Sequence, residues 1–293
     1  MTDAAQPPET AANQPAYPIR RILILIAAFA AVLIGYGQIA MNIGQSPAEF
    51  AADGDSTLRV AGFAFSIWGV IYAWLIVYAV YQAIPSTTEN AALRALGWPS
   101  FGALAGIGLW IVASAADWKW GSVFIIAASL LAVLFPLALR PDLWRGLPLK
   151  QRALVVWPLA LLAGWLSIAS VVNLITVLTA QALLPAVLPP AGWAILAVVL
   201  TAAIALVVTW RIDQWTYPLP VAWGLFGAFV AERSANIPVA FVCLLGCVAV
   251  LLGGLWLTVA RPRPKAIEAA VAPDTATLNE PAPAGAISSE PQP

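Results

Sequence analysis

The chain has 293 residues, 61% of them hydrophobic and only 10% charged, and its 14 basic and 14 acidic residues leave no net charge. An ordinary soluble domain carries about 25% charge, so too few polar side chains remain here to cover a water-facing surface. The composition is that of an all-α, multi-pass integral membrane protein, and the balanced charge supplies no polycationic face for nucleic acid.

Residues 1–18, MTDAAQPPETAANQPAYP, lack any apolar period and read as a disordered tail. A secretory signal would place its apolar stretch nearer the start, so no cleavage is expected. Runs long enough to approach the roughly 20 residues a membrane helix needs then follow at Ile22–Met41, Ala61–Ala83, Gly97–Ala116, Gly121–Leu139, Ala153–Val177, Gly192–Trp210, Leu219–Ala231 and Pro238–Ala260. The seventh is short and is preceded by Pro218 and Pro220. From Ala266 to Pro293 a second tail, rich in Pro and acidic residues, is expected to be disordered.

Lys and Arg accumulate in cytoplasmic loops. Threading eight spans from a cytoplasmic start places Arg20, Arg21, Arg94, Arg140, Arg145, Lys150, Arg152, Arg211, Arg261, Arg263 and Lys265 inside. Only Arg59, Lys119 and Arg233 fall outside. The bias predicts eight spans with both termini cytoplasmic, in the inner (cytoplasmic) membrane of a cell.

No acid or base lies in the middle of a span, which argues against proton-coupled carriers and ion pumps, whose relays sit there. The chain contains no histidine, so histidine-ligated haem, His-based zinc sites and Ser-His-Asp catalysis are excluded. No phosphate loop, no GxSxG and no paired carboxylates stand out, so no catalytic residue, metal site or cofactor is assigned. Cys243 and Cys247, one turn apart, read as small core residues. Asp53-Gly54-Asp55 has only a fragment of a calcium loop's ligands and reads as a solvated turn.

Tryptophan is abundant, at 14 residues. Trp98, Trp144, Trp193, Trp210 and Trp215 lie at span ends, where an interfacial belt forms. Trp68, Trp110 and Trp165 lie deep within spans, where an indole N–H needs a partner or lines a cavity that supplies one. The second span, AGFAFSIWGVIYAWLIVYAVYQ, puts Phe65, Trp68, Tyr72 and Leu75 on one face, with Trp74, Tyr78 and Tyr81 on another. Such stripes either pack helices or line a pocket. On the fifth span Trp157, Trp165, Ala169 and Asn173 share a stripe. An amide in hydrocarbon is costly unless bonded, so Asn173 meets either another helix or a polar group on a ligand. Gly102 and Gly106 form a small-xxx-small pair that permits close helix approach, within the chain or between chains.

These residues resemble the TspO/MBR family, the tryptophan-rich sensory proteins related to the translocator protein and peripheral benzodiazepine receptor. The second span resembles that family's FPxVWTxLY helix through Trp68 and Tyr72, with Phe65 nearby. Asp117-Trp118-Lys119-Trp120-Gly121-Ser122-Val123-Phe124 resembles N-x-x-W-S-x-x-F, with Trp120 and Phe124 matching and Asp117 in place of the asparagine. The fifth span resembles W-x-x-x-A-x-x-x-N through Trp165, Ala169 and Asn173, with Pro158 displaced by three residues from the family proline. The departures are a missing W-x-P-P stretch, replaced by Thr57-Leu58-Arg59-Val60, and a missing second asparagine after the fifth-helix motif.

The matches fall in family order within residues 20–180, which the resemblance makes a five-helix transmembrane domain. Residues 192–260 form a three-helix extension, expected mainly to pack on it and to cover the family's dimer surface, which leaves a homodimer open. The resemblance implies an aromatic cavity, closed by the loop after the first helix, that binds a hydrophobic ring compound, porphyrin (tetrapyrrole) or sterol. Its expected ligand-binding residues are Phe65, Trp68, Tyr72, Trp120, Phe124, Trp165, Ala169 and Asn173, with Asn173 and the Tyr72 hydroxyl fixing a polar edge of the ligand. A receptor or sensor is the leading reading. A transporter of such ligands is the alternative, and a porphyrin-modifying enzyme ranks last.

Overall fold

The computed structural model describes residues 18–84 and 90–260. Both expected tails lie outside the described residues, apart from Pro18, which opens the first helix. Among the described residues all regular structure is helical, as hydrocarbon demands of a chain whose backbone groups must bond within their own segment.

Helix α1 spans Pro18–Ala40 and is followed by a short helix, α2, at Pro47–Ala52. A 3-10 turn at Gly62–Ser66 leads into α3, Ile67–Ala83. Next come α4 at Ala91–Ala115 and α5 at Lys119–Leu139, then two short turns, α6 at Pro141–Arg145 and α7 at Leu149–Gln151. A π-helical turn at Arg152–Val156 runs into α8, Trp157–Ala180. The last three helices are α9 at Pro190–Ile212, α10 at Pro218–Glu232 and α11 at Ile237–Leu255.

Each apolar run of the sequence is thus a helix. Seven are long and apolar enough to cross a membrane, while α10 is shorter. At 15 residues α10 reaches about 22 Å, less than the ~30 Å hydrocarbon core. Much of its surface is covered by protein, with Pro220, Val221, Gly224, Leu225 and Ala228 all buried. Element ends follow local chemistry. Ser46 and Glu49 form a reciprocal capping box on α2, and the Asn90 side chain caps α4 by accepting from Ala92 and Leu93 N–H. Asp213 ends α9 in the left-handed region, at φ 55°, a conformation Asp tolerates better than most residues.

The most buried span, α8, is the centre. It packs against α3, α5, α9 and α10, while α1 packs on α3 and α4, α4 on α5, and α11 on both α9 and α10. A Cβ on Gly164 of α8 would collide with the Tyr217 carbonyl, so glycine lets α8 meet the start of α10 backbone to backbone. Gly102 and Gly106 both face α5, opposite Ala132 and Ser129. Their close approach is therefore used within the chain.

One tryptophan departs from the expected belt. Trp144 is wholly buried and donates to the Leu137 carbonyl at 2.8 Å, because α6 folds back under the end of α5 instead of lying at an interface. By contrast Trp98 and Trp210 are each 49% exposed.

Candidate functional site

Where α3, α4 and α8 meet beneath α2, five aromatic side chains surround a cavity of about 40 Å³. Its wall includes Phe65, Trp68, Trp110, Trp165, Ala169 and Asn173. Trp68 is the hub. It stacks on Tyr72 at 5.0 Å and on Trp110 at 6.5 Å, and meets Trp165 edge-on at 6.1 Å. Phe65 in turn stands edge-on to Trp165 at 6.2 Å. These are the geometries that ring quadrupoles favour.

On the other side of Trp68 a second hollow, about 380 Å³, opens between α1 and α3. Pro47, Phe65 and Trp68 line both spaces, and Tyr36, Gly69 and Tyr72 line only the outer one. The inner cavity has room for a few waters at about 10–15 Å³ each. Only the outer groove falls in the ~300–1,000 Å³ range of small-molecule pockets.

Three polar groups around these spaces lack a partner. The Nε1 of Trp68, the Nε1 of Trp165 and the Oη of Tyr72 are buried without a hydrogen-bond partner. The three side chains are 7%, 4% and 5% exposed respectively. A buried unpaired donor costs about 1–3 kcal/mol, and native proteins retain such groups for a reason.

Asn173 behaves differently from these three. Its Oδ1 accepts from Trp110 Nε1 at 3.1 Å, and its Nδ2 donates to Ser122 Oγ at 2.9 Å. The amide thus ties α8 to α4 and α5, so of the two roles open to it the structure displays the helix-to-helix one. Trp120 and Phe124 stand outside the shared wall, at 37% and 69% exposure. The inward face of α5 is Ser122, Ile126 and Ser129, which leaves positions 120 and 124, one turn apart, facing outward. Trp120 Nε1 donates instead to Gln181 Oε1 at 2.8 Å. Asp117 occupies its family-asparagine position at φ 54°, where a short polar side chain is the usual solution.

The roof is α2. Phe50, 1% exposed, lines the cavity from above. Lys119 Nζ sits over the Phe50 ring at 5.1 Å and bonds Asp53 Oδ2 at 2.6 Å as well as Asp117. Asp53 is therefore an anchor of the roof. Among the described residues no cluster of three or more acidic or cysteine side chains is placed to hold a metal ion.

Sequence reasoning missed the contribution of α10. Gly224 lines the cavity, Trp223 Nε1 donates to the Ala64 carbonyl at 2.9 Å, and Ala61 N–H donates to Gly227 O at 3.2 Å. The buried Glu232 accepts from Arg59 N–H at 2.6 Å and pairs with its guanidinium at 3.7 Å. The strap from Arg59 to Phe65, which delivers the aromatic face of α3, is thereby held from outside the first five long helices. Trp110 was recognisable as an indole deep within a span, but no motif assigned it to the wall.

A multi-pass helical membrane protein built around an aromatic cavity, with a short roof helix after its first span, is the class these features define. The model of the TSPO-like protein family matches residues 21–256, and the chain belongs to that family. The match continues through α9 and α10 and ends in the turn after α11. No curated protein and no solved structure matches the chain.

Proposed function

We propose that this protein is a membrane receptor for a hydrophobic ring compound of porphyrin or sterol type, bound at the Trp68 wall. The supporting observation is that three polar groups of the aromatic residues lining this site, Trp68 Nε1, Tyr72 Oη and Trp165 Nε1, are buried without a partner. A ring ligand bearing carbonyl or carboxylate acceptors satisfies those groups while its faces stack on the indoles. The 40 Å³ inner space is too small for such a ring. The ligand accordingly rests in the groove between α1 and α3, and its polar edge enters as Trp68 turns aside. In this reading both termini are cytoplasmic, Asn173 supports the wall through Trp110, and Trp120 and Phe124 flank the site from outside.

Protoporphyrin IX titrated against the purified protein, followed by tryptophan quenching, tests this. Trp68→Ala and Trp165→Ala are expected to weaken binding about tenfold or more, equivalent to roughly 1.4 kcal/mol each. Trp98→Ala, in an exposed indole away from the cavity, serves as the control. Unchanged affinity in both wall variants would remove the site from this wall.

A further inference from the structure

We propose a second binding site, for diacylglycerol, in the trough between α1 and α4, with Gln38 Oε1 accepting from the lipid's free hydroxyl. The trough shares only Ile111 with the groove beside Trp68, and the proposal rests only on the chain being a membrane protein.

Three glycine contacts show that α1 and α4 run side by side in the same direction. A Cβ on Gly108 would meet Ala31 and Ile34, one on Gly35 would meet Ile111, and one on Gly44 would strike the Ala115 carbonyl. The chain after α1 crosses to the end of α4, where Gln45 N–H donates to Ala115 O at 3.2 Å. Gln38 secures that crossing. Its Nε2 donates to Ile43 O at 2.7 Å and to Gln45 O at 3.1 Å. Two carbonyl partners fix which end of the amide is nitrogen, since an oxygen there would face only acceptors. Oε1, on the other branch of the planar amide, is buried without a hydrogen-bond partner, in a residue only 7% exposed. Native proteins rarely leave a buried acceptor in that state without a reason.

The surroundings select the donor. The trough has a volume of about 470 Å³, within the range of small-molecule sites. Leu33, Ile34 and Met41 wall one side, and Ile111, Val112 and Ala115 the other, with Leu33 and Val112 exposed on its rim. Among the described residues that line it, Gln38 is the only polar one, and none is charged or aromatic. A phosphate or an ammonium group would lose its water there without a counter-charge, and a flat ring would find no ring to stack on. A neutral lipid with flexible acyl chains and one hydroxyl meets each condition. Depth agrees. The 23 residues of α1 span about 34 Å, and Gln38 stands about 3 Å before the helix end at Ala40. That level is the boundary of the ~30 Å hydrocarbon core, where a diacylglycerol holds its glycerol hydroxyl. Oε1 is covered in the free protein, so a wall side chain moves aside on binding. Met41 suits this role, being 67% exposed, with its terminal methyl lying back beside Gly37 and a thioether chain that repacks readily.

The test presents the full chain, delipidated in a neutral detergent, with equal amounts of 1,2-dioleoylglycerol and 1,2-dioleoyl-3-acetylglycerol, which lacks the hydroxyl. Bound lipid is read by native mass spectrometry. The free alcohol is expected to outnumber its capped form about two- to tenfold, the contribution of one hydrogen bond. Gln38→Leu should bring that ratio to about one. Should that variant fail to fold, Val112→Trp fills the trough with Gln38 kept and should lower the bound alcohol severalfold. Equal retention of the two lipids by the wild type, an unchanged ratio in Gln38→Leu, or undiminished binding in Val112→Trp would each overturn the proposal. A dimer carrying neither lipid would assign this face to a second copy of the chain and would equally overturn it.

Discussion

Replacing Tyr72 by Phe removes one oxygen atom and little else, which makes it the cleanest probe of the proposed site. The hydroxyl is buried and unpartnered, held close to Gly35 of α1, where a Cβ would lie 3.0 Å from it. The ring stacks on Trp68 and stands edge-on to Tyr36 at 5.9 Å, contacts that Phe preserves. In the free protein the variant sheds a desolvation cost of about 1–3 kcal/mol. For a chain of this size that corresponds to a rise in Tm of roughly 2–4 °C per kcal/mol. With ligand the sign reverses, because a hydrogen bond contributing about 0.5–1.5 kcal/mol is lost. Protoporphyrin affinity should then fall about two- to tenfold. Melting curves and quenching titrations on one preparation read both numbers. A lower Tm in the free variant would mean that the hydroxyl is satisfied without ligand, and unchanged affinity would mean that the ligand does not use it.

Asn173→Leu is expected to cost stability more than to alter ligand selectivity, since it orphans both Trp110 Nε1 and one bond of Ser122 Oγ, at about 1–3 kcal/mol for a buried group; a Tm within 1–2 °C of wild type, roughly a sub-kilocalorie change, would refute this. Lys119→Met releases Asp53 and Asp117 from the roof of the site, so the protoporphyrin off-rate should rise in stopped-flow while the far-UV spectrum stays helical; an unchanged off-rate would show that the roof does not gate. The Glu49 carboxylate is held below its ordinary value of 4.5, first by the Ser46 backbone N–H and then by the Ser46 hydroxyl. A depressed carboxylate stabilises above the unfolded value and loses that contribution as pH falls through the folded one, so amide exchange in α2 should quicken relative to α8 only in the acid range below about pH 4.5, and Glu49→Gln should abolish the pH dependence. For topology, a cysteine placed by Ser289→Cys should resist an impermeant thiol reagent in intact cells; labelling would put the C-terminus outside.

Sequence alone revealed the helices well, because hydrocarbon allows an apolar run of twenty residues almost no other structure. The seventh run shows where the length rule stops. Leu219–Ala231 was short for a span, and α10 is short because neighbouring helices, not lipid, cover much of it. In the structure Phe65, Trp68, Trp165 and Ala169 line one small space, but only the family resemblance implied a shared cavity; helical spacing put Phe65 with Trp68, and Trp165 with Ala169, on one face of their own helices. It had no means of orienting α5. Trp120 and Phe124 satisfy the same periodicity whether the stripe faces in or out, and Ser122, Ile126 and Ser129 take the inward face. Asn173 illustrates a different limit. A buried amide advertises a need for partners without naming them, and those partners, Trp110 and Ser122, lie 63 and 51 residues away.

Those distant partners also bear on how the molecule divides. Residues 20–180 contain most of the rings, yet they do not close the site alone. Three main-chain groups of the strap, Arg59 N–H, Ala61 N–H and Ala64 C=O, find their partners on Glu232, Gly227 and Trp223 of α10. Phe63 adds edge-on contacts with Trp223 at 5.5 Å and Phe226 at 6.1 Å. Buried main-chain polar groups must find partners in protein or water, so a strap without α10 would have to refold or draw in water. The stretch Thr57-Leu58-Arg59-Val60, where the family's W-x-P-P is missing, leads directly into these contacts. Two prolines there would have stiffened the strap from within. Here the arginine reaches a buried carboxylate on α10, and the strap is held from outside.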